Sequence, residues 1–349
     1  MVEFMNKIID LRSDTVTLPN EEMRQSIFEA RVGDDVLQED PTIQKLEQYA
    51  STLLGKEAGI FVPSGTMGNL ISFLVHSPRG TEAILGNKSH TFIYEAGGIS
   101  SFGGIHSHQL NNNDDGTIAL DDIKNAVRKD NVHFPRTSLI SLENTHNICF
   151  GTPITPDYIK LVSNIAKENG LKIHIDGARL FNAAVGLNID VKELVKDADS
   201  ATFCLSKGLS APVGSVLCGN KIFIHEARRI RKALGGGMRQ AGIIAAAGLV
   251  SLDKMIPQLK VDHENAKRLA DGISTISGLS VNTETVHTNI LYFSVDESIM
   301  KGSEFVHKMG QHKVKFFEVS PNRFRLVTHS NISSEDVNTT LELFDTILH

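Results

Sequence analysis

Two apolar stretches end in side chains of opposite charge. Thr202-Phe203-Cys204-Leu205-Ser206-Lys207-Gly208 opens β-prone and breaks into small residues with one lysine at the break. Upstream, Lys172-Ile173-His174-Ile175-Asp176-Gly177 is a second apolar run, and it ends in an acid. A lysine in apolar company is a good amine nucleophile, because desolvation favours its neutral form. Alone it would be read as snorkelling to solvent. An acid at the end of a neighbouring core strand changes that reading to a reactive amine facing a carboxylate. A third stretch, Ser64-Gly65-Thr66, follows the strand-like run 57–63 and opens an apolar helix. There the free N–H groups and the helix dipole point at an anion, although a simple N-cap uses the same residue types. His90 and His146 follow two more apolar runs, Ala83–Gly86 and Ser138–Leu142.

The elements that position these groups alternate between strand and helix from about residue 57 to 220. That pattern predicts an α/β fold with a mainly parallel sheet and crossover helices. Ligands in such sheets bind outside the carboxyl ends of the strands, where Ser64, His90, His146, Asp176 and Lys207 all fall. Before the sheet, residues 1–19 read as an extended arm. Helices capped by Asn20 and by Asp40, with Pro41 at its first position, come next. After the sheet, a helical pattern runs from Lys221 to about Leu259, broken by Gly235-Gly236-Gly237. A helix over Asn265–Ile276, strands over 289–295 and 323–328, and a last helix over 334–348 predict a smaller α+β unit. The organisation expected is therefore an arm at 1–19, a large domain at 20–250 and a small domain at 251–349.

Composition narrows the class. The 349 residues are 41% hydrophobic and 22% charged, as in ordinary globular proteins. A net charge of −6 without long runs of one sign argues against nucleic-acid or anionic-membrane partners. Three cysteines without a C-x-x-C pair predict neither a disulfide framework nor a metal site. The first residues contain no signal-length apolar stretch. The longest apolar run, Gly242–Val250, is far short of the roughly 18–20 residues a membrane span needs. A cytoplasmic protein with no membrane partner is expected. No glycine-rich dinucleotide or P-loop motif follows a strand, which disfavours a nucleotide-binding module.

An amine, an acid, a phosphate-type anion site and an imidazole together suit one cofactor, pyridoxal 5′-phosphate. In that reading Lys207 forms the Schiff base, Asp176 faces the pyridine nitrogen, Ser64-Gly65-Thr66 cradles the phosphate and His90 stacks on the ring.

The chain also resembles the low-specificity L-threonine aldolases, which are fold-type I pyridoxal-phosphate enzymes. The resemblance rests on Asp-Leu-Arg-Ser-Asp-Thr-Val-Thr (10–17), Gly-Asp-Asp-Val (33–36), Pro-Ser-Gly-Thr-Met-Gly-Asn (63–69) and Leu-Glu-Asn-Thr-His-Asn (142–147). It continues through His-Ile-Asp-Gly-Ala-Arg-Leu-Phe-Asn (174–182), Cys-Leu-Ser-Lys-Gly-Leu (204–209), Gly-Gly-Gly-Met-Arg-Gln (235–240) and Arg-Leu-Val-Thr-His (325–329). It implies cleavage of L-threonine or L-allo-threonine to glycine and acetaldehyde. Lys207, His90 and His146 are the implied catalytic residues. Gly65, Thr66, Ser206 and a neighbouring subunit's Arg239 are implied at the phosphate. Ser13, Arg179 and Arg325 are implied at the substrate carboxylate, where arginine forks suit the chemistry. A homo-oligomer, a dimer of dimers with the site between subunits, is implied as well. The alternative on the same cofactor is another lyase or a racemase acting on a different β-hydroxy amino acid. Two departures bear on substrate preference: Leu37-Gln38 stands where the family usually has Tyr-Gly, and Ile148-Cys149-Phe150 replaces small, glycine-rich residues.

Overall fold

The computed structural model describes residues 7–349; the first six residues of the expected arm lie outside the described residues. Seven strands form the larger sheet: β1 (Ala58–Val62), β2 (Glu82–Gly86), β3 (His106–Leu110), β4 (Thr137–Glu143), β5 (Lys172–Asp176), β6 (Ser200–Cys204) and β7 (Ser215–Gly219). Their order is β1-β7-β6-β5-β4-β2-β3. β7 is antiparallel to both its neighbours, and the remaining pairings are parallel. Most of these strands are apolar along their whole length because helices cover both faces of the sheet.

Two strands escape the sequence pattern. β3 reads His-Ser-His-Gln-Leu and forms the sheet edge, half open to water, so it carries no hydrophobic signal. β7 is apolar but lies directly after the broken stretch that holds Lys207. β6 itself ends at Cys204, so Lys207 sits in the connection between two antiparallel neighbours. Gly214 closes that connection at φ +105°, and a Cβ there would lie 2.4 Å from the Phe61 ring.

The helical tract after the sheet is divided into Lys221–Ala233, Gly242–Val250, a π-type turn at Ser251–Met255, and Gln258–Ile273. The last helix begins ahead of the Asn265 start expected from the pattern. Its first turn, at Leu259, belongs to the core of the large sheet. Its later residues Ala266, Leu269, Ala270 and Ile273 belong to a second core. That second core lies under an antiparallel sheet of β8 (Leu279–Val281), β9 (Ile290–Val295), β10 (Phe317–Ser320) and β11 (Arg323–Val327), in the order β10-β11-β9-β8. Phe293, Phe305, Phe316, Phe324 and Phe344 fill it with rings mostly edge-on or tilted. Among the described residues no single helix is long and apolar enough to cross a membrane.

The N-terminal segment is tied to this second core. Ile9 and Leu11 are buried in it, Ile9–Asp10 pairs in parallel with Val314–Lys315, and the Val327 N–H donates to the Leu11 carbonyl at 2.9 Å. The segment then runs on to the loop of Lys207, whose carbonyl accepts from Thr17 Oγ1 at 3.1 Å.

Asp262, in the helix Gln258–Ile273, is fully buried with only Gln258 Nε2 on Oδ1 (3.2 Å) and no partner on Oδ2. Burial, with the charge of Asp14 adding to it, pushes its carboxyl up to about 7 from an ordinary 3.8. The folded chain thus keeps a proton that the unfolded chain gives up across that window, so stability falls as pH rises through it. Asp262→Asn is expected to raise the melting temperature near pH 8 and to leave it unchanged near pH 4. Thermal melts at the two pH values check this.

Candidate active site

Because the parallel strands share one direction, their carboxyl ends meet at one edge of the sheet. Ser64 follows β1, His90 follows β2, Glu143 ends β4, Asp176 ends β5 and Lys207 follows β6. A cavity of about 480 Å³ opens at that edge, lined in part by Ser13, His90, Glu143, Arg179, Lys207 and Arg325. A larger groove of about 950 Å³ lies elsewhere, between the helices Leu180–Leu187 and Gln258–Ile273. Its lining is mainly apolar and it does not touch the residues with convergent chemistry.

The floor of the cavity is rich in acid. His90 Nδ1 donates to Glu95 Oε1 at 2.9 Å, and its backbone N–H donates to Glu143 Oε2 at 2.7 Å. Ligand atoms of His90, Glu95 and Asp176 all lie within 4.8 Å of one another. Burial pushes the Asp176 carboxyl up to about 6, and the charges of Glu143 and Glu95 push in the same direction. Burial works against charge on His90, yet the Glu95 hydrogen bond and the nearby Asp176 raise its affinity for a proton.

The opposite wall carries the cations. Arg179 is buried and forms a two-pronged ion pair with Asp14, Nε to Oδ2 and Nη2 to Oδ1, both at 2.7 Å. Burial alone would raise the Asp14 carboxyl, but the charge and hydrogen bonds of Arg179 outweigh it and hold the group well below the usual carboxylate range. Arg325, on β11, donates from Nη1 to Asn147 Oδ1 at 3.1 Å and from Nη2 to the Arg12 carbonyl at 3.1 Å. Its buried Nε has no partner. Asn147 Oδ1 also lies 3.5 Å from Arg179 Nη1, so one amide oxygen spaces both guanidinium groups.

The donor set fits pyridoxal phosphate. An amine stands in the cavity, a buried carboxylate short of positive charge lies at its floor, and a buried guanidinium N–H is left unpaired. The helix Gly65–His76 begins beside this region: Gly65 approaches the end of β6 so closely that a Cβ would lie 2.9 Å from Cys204 Sγ. Ser64 Oγ caps the helix by accepting from the Met67 N–H at 3.2 Å.

Comparisons with known proteins give the family and the fold. The sequence model of the beta-eliminating lyases matches residues 10–296. The chain belongs to the beta-eliminating lyase family. Within it the relatives carry a narrower name. "Low-specificity L-threonine aldolase 1" of Arabidopsis thaliana is 46% identical over 340 residues, covering 96% of this chain and 95% of the relative. "Low specificity L-threonine aldolase" of Escherichia coli K12 is 42% identical over 332 residues, covering 95% and 96%. Among solved structures, threonine aldolase of Leishmania major aligns with a TM-score of 0.82 at 18% identity, over 98% of this chain and 100% of that one. Serine palmitoyltransferase of Sphingomonas wittichii aligns with a TM-score of 0.76 at 18% identity, over 98% and 87%. At such identities the structural likeness speaks for the fold, which is that of the fold-type I enzymes expected from the sequence.

In this member of the family, the cavity brings together Ser13, His90, Arg179, Lys207 and Arg325 of the residues expected at the site. Asp176 lies behind that lining, next to His90 and Glu95. His146 is not among the lining residues. It is buried behind Glu143, with Nδ1 accepting from the Cys149 N–H at 3.4 Å and Nε2 3.9 Å from Glu143 Oε2. Arg239 also stands away from the cavity, with an exposed side chain paired to Asp34 at 3.0 Å. Ser64, Thr66 and Ser206 border the helix start and the lysine loop without lining the cavity. Neither departure from the family pattern touches it: Leu37 is 65% exposed, and Phe150 packs edge-on against Tyr292. Reading the sequence missed Asp14, Asn69, Glu95, Glu143 and Asn147. All but Glu95 lie inside motifs quoted above, yet their tasks depend on partners far along the chain.

Removing one member of a buried ion pair strands the other, which costs about 3–5 kcal/mol. Asp14→Ala is expected to destabilise the chain by about that amount at neutral pH, measured by denaturant unfolding. Because the native Asp14 carboxyl lies below its ordinary value, the difference from the parent is complete at neutral pH. It shrinks as acid protonates Asp14 below the ordinary carboxylate range.

Proposed function

We propose that this chain is a pyridoxal-phosphate-dependent L-threonine aldolase that splits L-threonine and L-allo-threonine into glycine and acetaldehyde. The observation that carries this is the single cavity in which Lys207 and His90 face Arg179 and Arg325 across a floor of buried acids. The names of the 42–49% identical relatives support the same reaction. Lys207 would attach the cofactor, Asp176 would hold its ring nitrogen and His90 would cover the ring. The first turn of the helix Gly65–His76, with Ser206, would hold its phosphate. The bound cofactor supplies an electron sink for the pair left when the Cα–Cβ bond breaks.

The protein's own groups divide the remaining work. Arg325, with the Ser13 hydroxyl and the Arg179 N–H groups not taken by Asp14, binds the substrate carboxylate through N–H and O–H donors, of which Arg325 Nε–H has no partner in the protein. Asn147 spaces the two guanidinium groups so that a carboxylate can be received between them. Glu95 holds the proton on His90 Nδ1, which leaves Nε2 to take the proton of the β-hydroxyl. That arrangement favours His90 over His146, which lies behind Glu143.

The surface also supports assembly. Arg239 turns away from this cavity, and Phe28 and Ile243 are exposed on two helices that pack together, with Leu37 exposed on the loop tied to Arg239. This favours a homo-oligomer, a dimer of dimers, in which Arg239 reaches a neighbouring subunit's phosphate site. We assign the arm to residues 1–19, the large domain to 20–250 and the small domain to 251–349, with the stretch through Leu259 that opens the last unit packed on the core of the large sheet. A cytoplasmic enzyme of threonine catabolism and glycine formation is the reading we favour.

Lys207→Ala is expected to lose both the cofactor-dependent absorbance and acetaldehyde release from L-threonine; cleavage at the parental rate would refute the assignment. For Arg325→Ala the expected change is mainly a higher KM for the amino acid, roughly 10-fold or more, because a charged hydrogen bond in the ground state is lost. Steady-state kinetics decide it, and an unchanged KM removes Arg325 from the substrate site. 2-Oxobutanoate and ammonia from L-threonine, in place of glycine and acetaldehyde, would indicate β-elimination instead.

A further inference from the structure

A buried chain of hydrogen bonds leads away from Asp176 through the body of the protein. Asn69 Nδ2 lies 2.9 Å from Asp176 Oδ2 and 2.9 Å from Glu95 Oε1. Asn69 Oδ1 lies 3.1 Å from His174 Nε2. His174 Nδ1 lies 2.9 Å from Ser200 Oγ, and Ser200 Oγ lies 2.8 Å from His76 Nε2. Asn69, His174 and Ser200 are all essentially without solvent contact. His76 is stacked on Phe223, with ring centres 4.5 Å apart.

The direction of every bond in the chain follows from its first link. Two carboxylates can only accept, so both amide hydrogens of Asn69 go to Asp176 and Glu95. The amide oxygen must then accept, and His174 Nε2 carries the hydrogen. Burial holds His174 down to about 3 and His76 down to about 4, so both rings are neutral. His174 Nδ1 is therefore a bare acceptor for the Ser200 hydroxyl, and Ser200 in turn accepts from the His76 Nε2–H. A flipped Asn69 amide would set its oxygen against two carboxylates and its hydrogens against the His174 N–H.

We propose that Asn69 is a positioning residue that holds Asp176 and Glu95 together as charged acceptors, and that His174, Ser200 and His76 lock the orientation of its amide. The inference rests on the pyridoxal-phosphate reading. One amide thereby serves both the acid that faces the ring nitrogen and the acid that orients His90. Asp176 is faced by Glu143 from β4, by Glu95 and His90 from the segment after β2, and by Lys207 from the loop after β6. With two like charges among these, the Asn69 donor favours the charged state of Asp176 that a protonated ring nitrogen requires.

Equilibrium dialysis against pyridoxal phosphate across a pH series tests this, because it reads cofactor binding directly and needs no turnover. If the parental protein binds no cofactor, the pyridoxal-phosphate reading fails and the relay falls with it. If it does bind, Asn69→Ala is expected to raise the dissociation constant roughly 10-fold or more, the weight of a hydrogen bond to a charged group. The acid limb of binding should move to higher pH, since Asp176 loses a donor to its charged form. His174→Leu, which removes a donor outside the cavity lining, should shift both quantities in the same direction. His174→Gln offers an amide N–H near the Nε2 position and should recover most of the loss. Should His174→Leu fail to give the parental circular dichroism, Ser200→Ala, a far smaller change, takes its place, with an expected loss of about 2–3-fold. A folded Asn69→Ala protein with the parental dissociation constant and pH profile would overturn the proposal. So would parental values in both the His174 and Ser200 variants, which would leave the chain behind Asn69 a purely structural one.

Discussion

The buried ion pair between Arg179 and Asp14 holds three parts of the molecule in register. Arg179 comes from the body, just after β5; Asp14 comes from the N-terminal segment; and Asn289, at the edge of the C-terminal sheet, adds a hydrogen bond to the same Asp14 carboxylate at 3.2 Å. A charge pair this deep is favourable only when its geometry is nearly ideal and its remaining donors are used. Here both prongs are short and the remaining Nη1 faces Asn147. The N-terminal segment is thereby fixed between the two cores, and Ser13 and Thr15 are brought to the cavity wall. Any displacement of that segment would also disturb Arg325, which donates to the Arg12 carbonyl.

The electrostatics on either side of the cavity are unbalanced in a consistent way. The floor gathers Asp176, Glu95 and Glu143, while the wall gathers Arg179 and Arg325, and Lys207 stands between. Folding alone does not repay this arrangement, because burial penalises each charge and like charges sit together. Such crowding, with a buried guanidinium N–H left unpaired, belongs to a site that takes a ligand carrying complementary charges. A flat molecule with a basic nitrogen at one end and an anion at the other meets both demands, and an amino-acid carboxylate meets the third.

Much of this was legible in the sequence because it depends on local rules. Apolar runs between helical patterns gave the parallel sheet, and the placement of Asp176, His90 and Lys207 at its edge followed from strand direction alone. Asn20, Asp40 and Pro41 signalled helix starts by their capping chemistry. β3 stayed hidden because an edge strand needs no apolar face, and the true start of the helix Gln258–Ile273 stayed hidden because its two ends belong to different cores. The roles given to His146 and Arg239 came from resemblance, and the described cavity includes neither.

The sequence by itself determined the fold class, the cofactor chemistry and the family, since each is carried by short stretches whose meaning does not depend on distant residues. Tertiary structure decided which of those residues act on one another. That Arg179 is neutralised by Asp14, that Asn147 spaces two arginines, and that Asn69 ties Asp176 to Glu95 are facts about residues tens to hundreds of positions apart. Periodicity and local motif carry no information about such pairs. They are set by the register of the strands and by the path of the N-terminal segment between the two cores, which exist only once the chain has folded.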